Sequence, residues 1–86
     1  MHIILVYDVN AKRVHKVLKT CRKYLISVQN SVLEGQLTDS KIDKLKNELS
    51  KIIIPSEDSI CIYKYEQLSY VDKDQIGTTK EDNNII

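Results

Sequence analysis

One stretch does most to limit how this chain can fold. His2-Ile3-Ile4-Leu5-Val6-Tyr7 is a near-continuous apolar run that ends in Asp8, and no further acid follows before Glu34. A run of this length, rich in branched and aromatic residues and without polar alternation, predicts a strand buried on both faces in the middle of a sheet. It is much shorter than the roughly 20 apolar residues that span a bilayer, and it lacks the basic start and small-residue cleavage site of a secretory leader. With 42% hydrophobic and 29% charged residues, the composition is that of an ordinary globular domain, so a cytoplasmic protein with no membrane partner is expected.

The rest of the chain alternates between helical and strand-like periodicity. Asn10 can cap a helix whose apolar positions Val14, Val17, Leu18, Cys21 and Leu25 recur on one face. Residues 25–37 are broken by Asn30, Ser31 and Gly35, and read as two strands meeting near Asn30-Ser31, residues that accept tight-turn geometry. Thr38, Asp39 and Ser40 supply capping side chains for a second helix with Ile42, Leu45, Leu49, Ile52 and Ile53 inward, and Pro55 is expected to end it. Ser59 to Tyr65 is again strand-like.

Strand, helix, strand, strand, helix, strand is the ferredoxin-like βαββαβ order. It is an α+β fold with an antiparallel sheet and both helices on one face. Residues 1–66 make the ferredoxin-like core, and 67–86 are mostly polar. Gln67 to Asp72 can add a further C-terminal strand contacting a partner subunit, with a frayed tail as the alternative. The helices leave one sheet face to be covered or polar, and 86 residues support only a small core, so a homodimer is expected.

Charge is segregated although the net charge is only +1. Between Val9 and Leu33 stand six basic residues, Lys12, Arg13, Lys16, Lys19, Arg22 and Lys23, and no acid; the other seven basic residues face all 12 acids elsewhere. These six are the candidate nucleic-acid contacts, since a concentrated cationic surface suits a phosphate backbone; a solvated lysine-rich helix face is the alternative. His15 lies beside them as a surface residue.

Other chemistry has little support. His2 and His15 are the only histidines, Gly35 and Gly77 the only glycines, and neither pair makes a catalytic triad or a phosphate-cradling loop. Cys21 and Cys61 match no zinc spacing and read as reduced packing residues. Asp8 remains, with two readings. It can cap the helix beginning near Ala11, or it can hold Mg²⁺, a cation usually bound by one or two carboxylates with waters and substrate phosphates; a two-fold axis near the strand ends would supply a second Asp8.

Four segments, in order, resemble one known family. Val6-Tyr7-Asp8-Val9, Lys12-Arg13-Val14, Val28-Gln29-Asn30-Ser31-Val32-Leu33-Glu34-Gly35 and Asp58-Ser59-Ile60-Cys61-Ile62-Tyr63 are similar to the small CRISPR-associated endoribonucleases of spacer acquisition, the "Cas two" proteins. The resemblance implies a homodimer with C-terminal strands crossing between subunits and the two Asp8 carboxylates facing across the axis. It implies a Mg²⁺-dependent nuclease on RNA or DNA with Asp8 as the catalytic, metal-binding residue, and a central dimer gripped by a CRISPR-associated integrase. Three positions depart from the family pattern: Ser27 stands where an Arg is usual, Asn30 where an aromatic is usual, and Leu33 where Phe is usual. Loss of the Arg removes a planar donor suited to phosphate. A toxin-like messenger-RNA endonuclease on the same fold and a non-enzymatic ferredoxin-like regulatory domain are the alternative functions.

Overall fold

A computed structural model describes residues 1–66, and the expected C-terminal strand and tail lie outside the described residues. Four strands and two helices follow one another as β1 (His2–Asp8), α1 (Val14–Cys21), β2 (Ile26–Gln29), β3 (Val32–Gln36), α2 (Asp39–Ser50) and β4 (Ser59–Tyr65). The strand order is β2-β3-β1-β4, and β1 pairs antiparallel with both β3 and β4, so the apolar run is a central strand as its composition requires. The order and pairing are those of the ferredoxin-like fold. Among the described residues no helix is long and apolar enough to cross a membrane.

Alternation along β1 divides the sheet into two faces. Ile3, Leu5 and Tyr7 turn toward the helices and join Leu33, Val17, Leu18, Cys21, Ile42, Leu45 and Leu49 in one buried cluster, closed by Leu25 and Leu37 from the connections. Each large side chain contributes roughly 1.5–3 kcal/mol by leaving water. Ile4 and Val6 point the other way, where cross-strand partners Tyr63, Cys61, Val32 and Glu34 share their face. Among the described residues no helix covers that face: Ile26 is 61% and Tyr63 52% exposed.

The hairpin lies where the break at Asn30-Ser31 predicts it. Ser31 takes a left-handed φ of 66°, and its carbonyl accepts the Tyr7 N–H at 3.0 Å, which ties the turn to the end of β1. The β2–β3 register shifts between Ser27 and Gln29, a bulge that leaves Val28 without an opposite residue. Thr38 caps α2 by accepting the Lys41 N–H at 3.3 Å.

Three expectations are corrected. The first helix starts at Val14, three residues after Ala11, because the Asn10 side chain accepts the Lys12 N–H at 3.0 Å and closes a turn before the helix instead of capping it. The second helix ends at Ser50, well before Pro55; the N–H groups of Ile52 and Ile53 both return to the Leu49 carbonyl, which tightens the chain out of the helix. Cys21 is a core residue, and burial pushes its thiol up to about 11, but Cys61 is exposed on the open sheet face opposite Val6. The two thiols therefore lie on opposite sides of the sheet.

Candidate metal and nucleic-acid site

Asp8 ends β1 on the face of Ile4 and Val6, away from the helices, with Ser59 as its cross-strand partner. It is exposed, and among the described residues its carboxylate has no hydrogen bond or ion pair. A concavity of about 250 Å³ opens beside it, lined by Tyr7, Asp8, Val9, Val14, Asn30 and Ser31. The strand end, the hairpin turn and the first residue of α1 thus converge at one edge of the sheet.

The capping role considered for Asp8 is not filled, since α1 has no side-chain cap; the acid tied to the turn before the helix is Asp58. Asp58, just before β4, has a fully buried side chain that gathers four donors. Its Oδ1 accepts the Asn10 N–H at 2.9 Å and Arg13 Nη2 at 3.0 Å, while Oδ2 accepts the Ile54 N–H at 2.8 Å and Arg13 Nε at 2.6 Å. Arg13 Nη2 also reaches Glu57 Oε1 at 3.0 Å. The Arg13 guanidinium holds the Asp58 carboxyl far below the usual carboxylate range; burial opposes this, and the Asn10 and Ile54 N–H groups add to the lowering. Arg13 is correspondingly raised, chiefly by Asp58 and then by Glu57. The first turn of α1 itself carries no acid.

In the sequence Asp58 stands out only as the first residue of the last of the four family-like segments. The available signal was its place in the segment Asp58-Ser59-Ile60-Cys61-Ile62-Tyr63 together with Arg13, but nothing in local periodicity links residues 45 positions apart.

The six basic residues do not form one uniform surface. Arg13 is bound to Asp58 and Glu57, Lys23 pairs with Glu48, and Arg22 Nε donates to Ser27 Oγ at 3.3 Å. Glu48 also accepts the Tyr24 hydroxyl, so the end of α1 is tied to α2; its carboxyl is lowered by Lys23 and then by Tyr24. Lys12, Lys16 and Lys19 are exposed and have no side-chain partner among the described residues. Lys12 lies in the turn nearest Asp8. Lys16 and Lys19 recede along α1 by about 1.5 Å per residue, on the helix side of the sheet.

Mg²⁺ takes an octahedral set of oxygens, of which the protein usually supplies one or two carboxylates. No group of three or more His, Cys, Asp or Glu able to hold a metal comes together among the described residues. Asp8, exposed and unengaged, fits this chemistry as one donor in a shared set. Asp58, with both oxygens occupied and no exposure, does not.

The model of the family described as CRISPR associated protein Cas2 matches residues 1–73. A CRISPR-associated endoribonuclease Cas2 of Thermotoga maritima is 46% identical over 86 residues, covering 100% of this chain and 99% of its own length. The fold is similar to a crystal structure of a Cas2 protein, with a TM-score of 0.83 and 38% identity over 93% of this chain and 90% of that one. Streptococcus pyogenes Cas2 gives a TM-score of 0.73 and 32% identity over 87% of this chain and 100% of that one. The match takes in the strand that ends in Asp8, the Arg13–Asp58 pair and the hairpin between them, and the chain belongs to the CRISPR-associated Cas2 family.

Proposed function

We propose that this protein is a homodimeric, nucleic-acid-binding component of CRISPR spacer acquisition that acts in the cytoplasm and carries a Mg²⁺-dependent phosphodiesterase site at Asp8. The observation that carries the reading is the state of Asp8. An exposed carboxylate without a partner among the described residues, at the end of a central strand and on the sheet face that no described helix covers, is available for a shared site. A second copy placed on that face brings a second Asp8 to the same edge. The resemblance to curated endoribonucleases supports cleavage of nucleic acid, and binding between integrase subunits is the architectural role that the family implies.

In this reading the two Asp8 carboxylates would hold Mg²⁺. The bound ion supplies charge stabilisation at the phosphate and activation of water. The chain's own residues bind and orient: Lys12 draws the backbone to the site edge, Lys16 and Lys19 extend the phosphate path along α1, and Tyr7 and Val14 wall one side of the concavity.

The test is Mg²⁺-dependent cleavage of RNA and duplex DNA by wild type and Asp8→Asn, beside spacer insertion with the partner integrase. Asp8→Asn keeps the size of the side chain and removes its charge, so it should abolish cleavage while folding and duplex binding survive. Cleavage by Asp8→Asn at the wild-type rate would defeat the metal-site reading. Loss of cleavage with insertion retained would assign acquisition to the dimer as a scaffold.

A further inference from the structure

Asp58 is a buried acid to which the proposed chemistry gives no part. Three of its four hydrogen bonds come from a short piece of chain with Asp8 at one end, and the fourth comes from the Ile54 N–H. The Asn10 N–H, two residues beyond Asp8, is bound to Oδ1; Arg13, three residues further, closes on both oxygens, and its own N–H donates to the Asn10 carbonyl at 2.8 Å. Asp8 therefore sits between two fixed points, its rung with Ser59 and a turn held by the residue next to Ser59.

We propose that Asp58 and Arg13 form a latch that positions Asp8: Asp58 holds the turn through which β1 leaves the sheet, and Arg13 acts through Asp58 and not on phosphate. This rests on the reading of Asp8 as the metal-binding carboxylate. Three features favour positioning over a direct contact. The Arg13 side chain is only 14% exposed, its Nε and Nη2 are both engaged, and the fork geometry is the bidentate one that a carboxylate satisfies. The latch also lies outside the buried cluster of Ile3, Leu5, Leu33 and Leu45, so loosening it releases the turn without opening the core.

An amide in place of the Asp58 carboxylate has one acceptor oxygen. Either the Asn10 or the Ile54 N–H then loses its acceptor, and Arg13 keeps only Glu57 as a charged partner. The full chain is compared as wild type, Asp58→Asn, Arg13→Gln and Asp8→Asn, at a temperature where circular dichroism shows all four folded. Three quantities are read: kcat and KM for Mg²⁺-dependent cleavage, broadening of the Asp8 and Val9 amide resonances by Mn²⁺, and the salt dependence of duplex binding. Asp58→Asn and Arg13→Gln should each lower kcat by roughly ten- to a hundredfold with little change in KM, because misplacement of a reacting group acts on the rate. Both should need more Mn²⁺ to broaden the same amides, and neither should change the salt slope.

A folded Asp58→Asn that cleaves and responds to Mn²⁺ like wild type would overturn the latch and leave the metal site standing. A salt slope lowered by about 0.9 in Arg13→Gln would make Arg13 a phosphate contact and overturn its assigned role. Wild type that neither cleaves nor responds to Mn²⁺ would instead defeat the metal-site reading itself, and the latch as a positioning device with it.

Discussion

Asp8 and Asp58 stand at the same end of the β1–β4 ladder in opposite surroundings. Asp8, paired with Ser59, is exposed and has no polar partner among the described residues; Asp58, the residue before Ser59, is fully buried and accepts four hydrogen bonds. Identical side chains thus separate into one available for chemistry and one consumed by structure. That difference makes the acid response of the fold predictable.

The folded-state pKa of Asp58 is lowered, so its contribution to stability is fully present above the ordinary value of 3.8 and is lost as pH falls through the folded value. Glu48, also lowered, adds in the same direction from a more exposed position, where solvent screens most of the effect. Thermal melts should be level from pH 7 to 5 and fall below pH 4. Asp58→Asn should melt roughly 10 °C lower at neutral pH, and the gap should narrow toward pH 2. A gap independent of pH would show that the carboxylate's charge is not what holds the turn.

Duplex binding should depend on the exposed lysines and not on the engaged arginine. Replacing Lys12, Lys16 or Lys19 by Gln should each lower the slope of log affinity against log salt by about 0.9 on duplex DNA, and Lys23→Gln, whose ammonium is shared with Glu48, by less. Fluorescence anisotropy over a salt series measures this. Unchanged slopes in a Lys16/Lys19 double variant would identify the helix face as merely solvated.

The sheet face that no described helix covers should behave as a subunit contact. Tyr63, 52% exposed and opposite Ile4, projects from the middle of that face, and Tyr63→Lys would place a charge where a second copy packs. Light scattering should give twice the chain mass for wild type and half of that for the variant at the same micromolar concentration. Wild type at the mass of a single chain would remove the basis for a shared Asp8 site.

Gly35 packs closely against Leu25. A Cβ there would stand 3.0 Å from Leu25 Cδ2 and 3.6 Å from the Leu25 Cα, and Leu25 is itself buried. Gly35→Ala should cost about 1–2 kcal/mol in urea unfolding, and Gly35→Val more. Stability unchanged in Gly35→Val would mean that the Leu25 side chain yields freely.

What the sequence made legible was what short-range pattern encodes. The β1 run, the inward stripe of α1, the break at Asn30-Ser31 and the Thr38 cap are all written within a few residues of where they act. The fold followed from their order. The limits of the helices were less legible, because Asn10 and Pro55 are each compatible with more than one local geometry, and backbone bonds at Lys12 and at Leu49 decided the outcome. Within the site, Asp8 stood out by its isolation at a strand end. The engagement of Arg13, Arg22 and Lys23 did not, since their partners Asp58, Ser27 and Glu48 become neighbours only when the chain folds back.

The central place of β1 also dictates when its end becomes ordered. The β2–β3 hairpin closes a short loop and can form early, whereas β4 must return across nearly the whole described chain to zip onto β1, and long loops close late. Arg13 and Asp58, 45 residues apart, meet only at that final docking. A chain still emerging from the ribosome, with Asp8 already made, would hold that carboxylate on an unanchored strand end. The same would be true of a fragment that stops before Ser59. In the proposed reading, the Asp8 site is complete only when the chain has reached β4 and Asp58 has closed on Arg13.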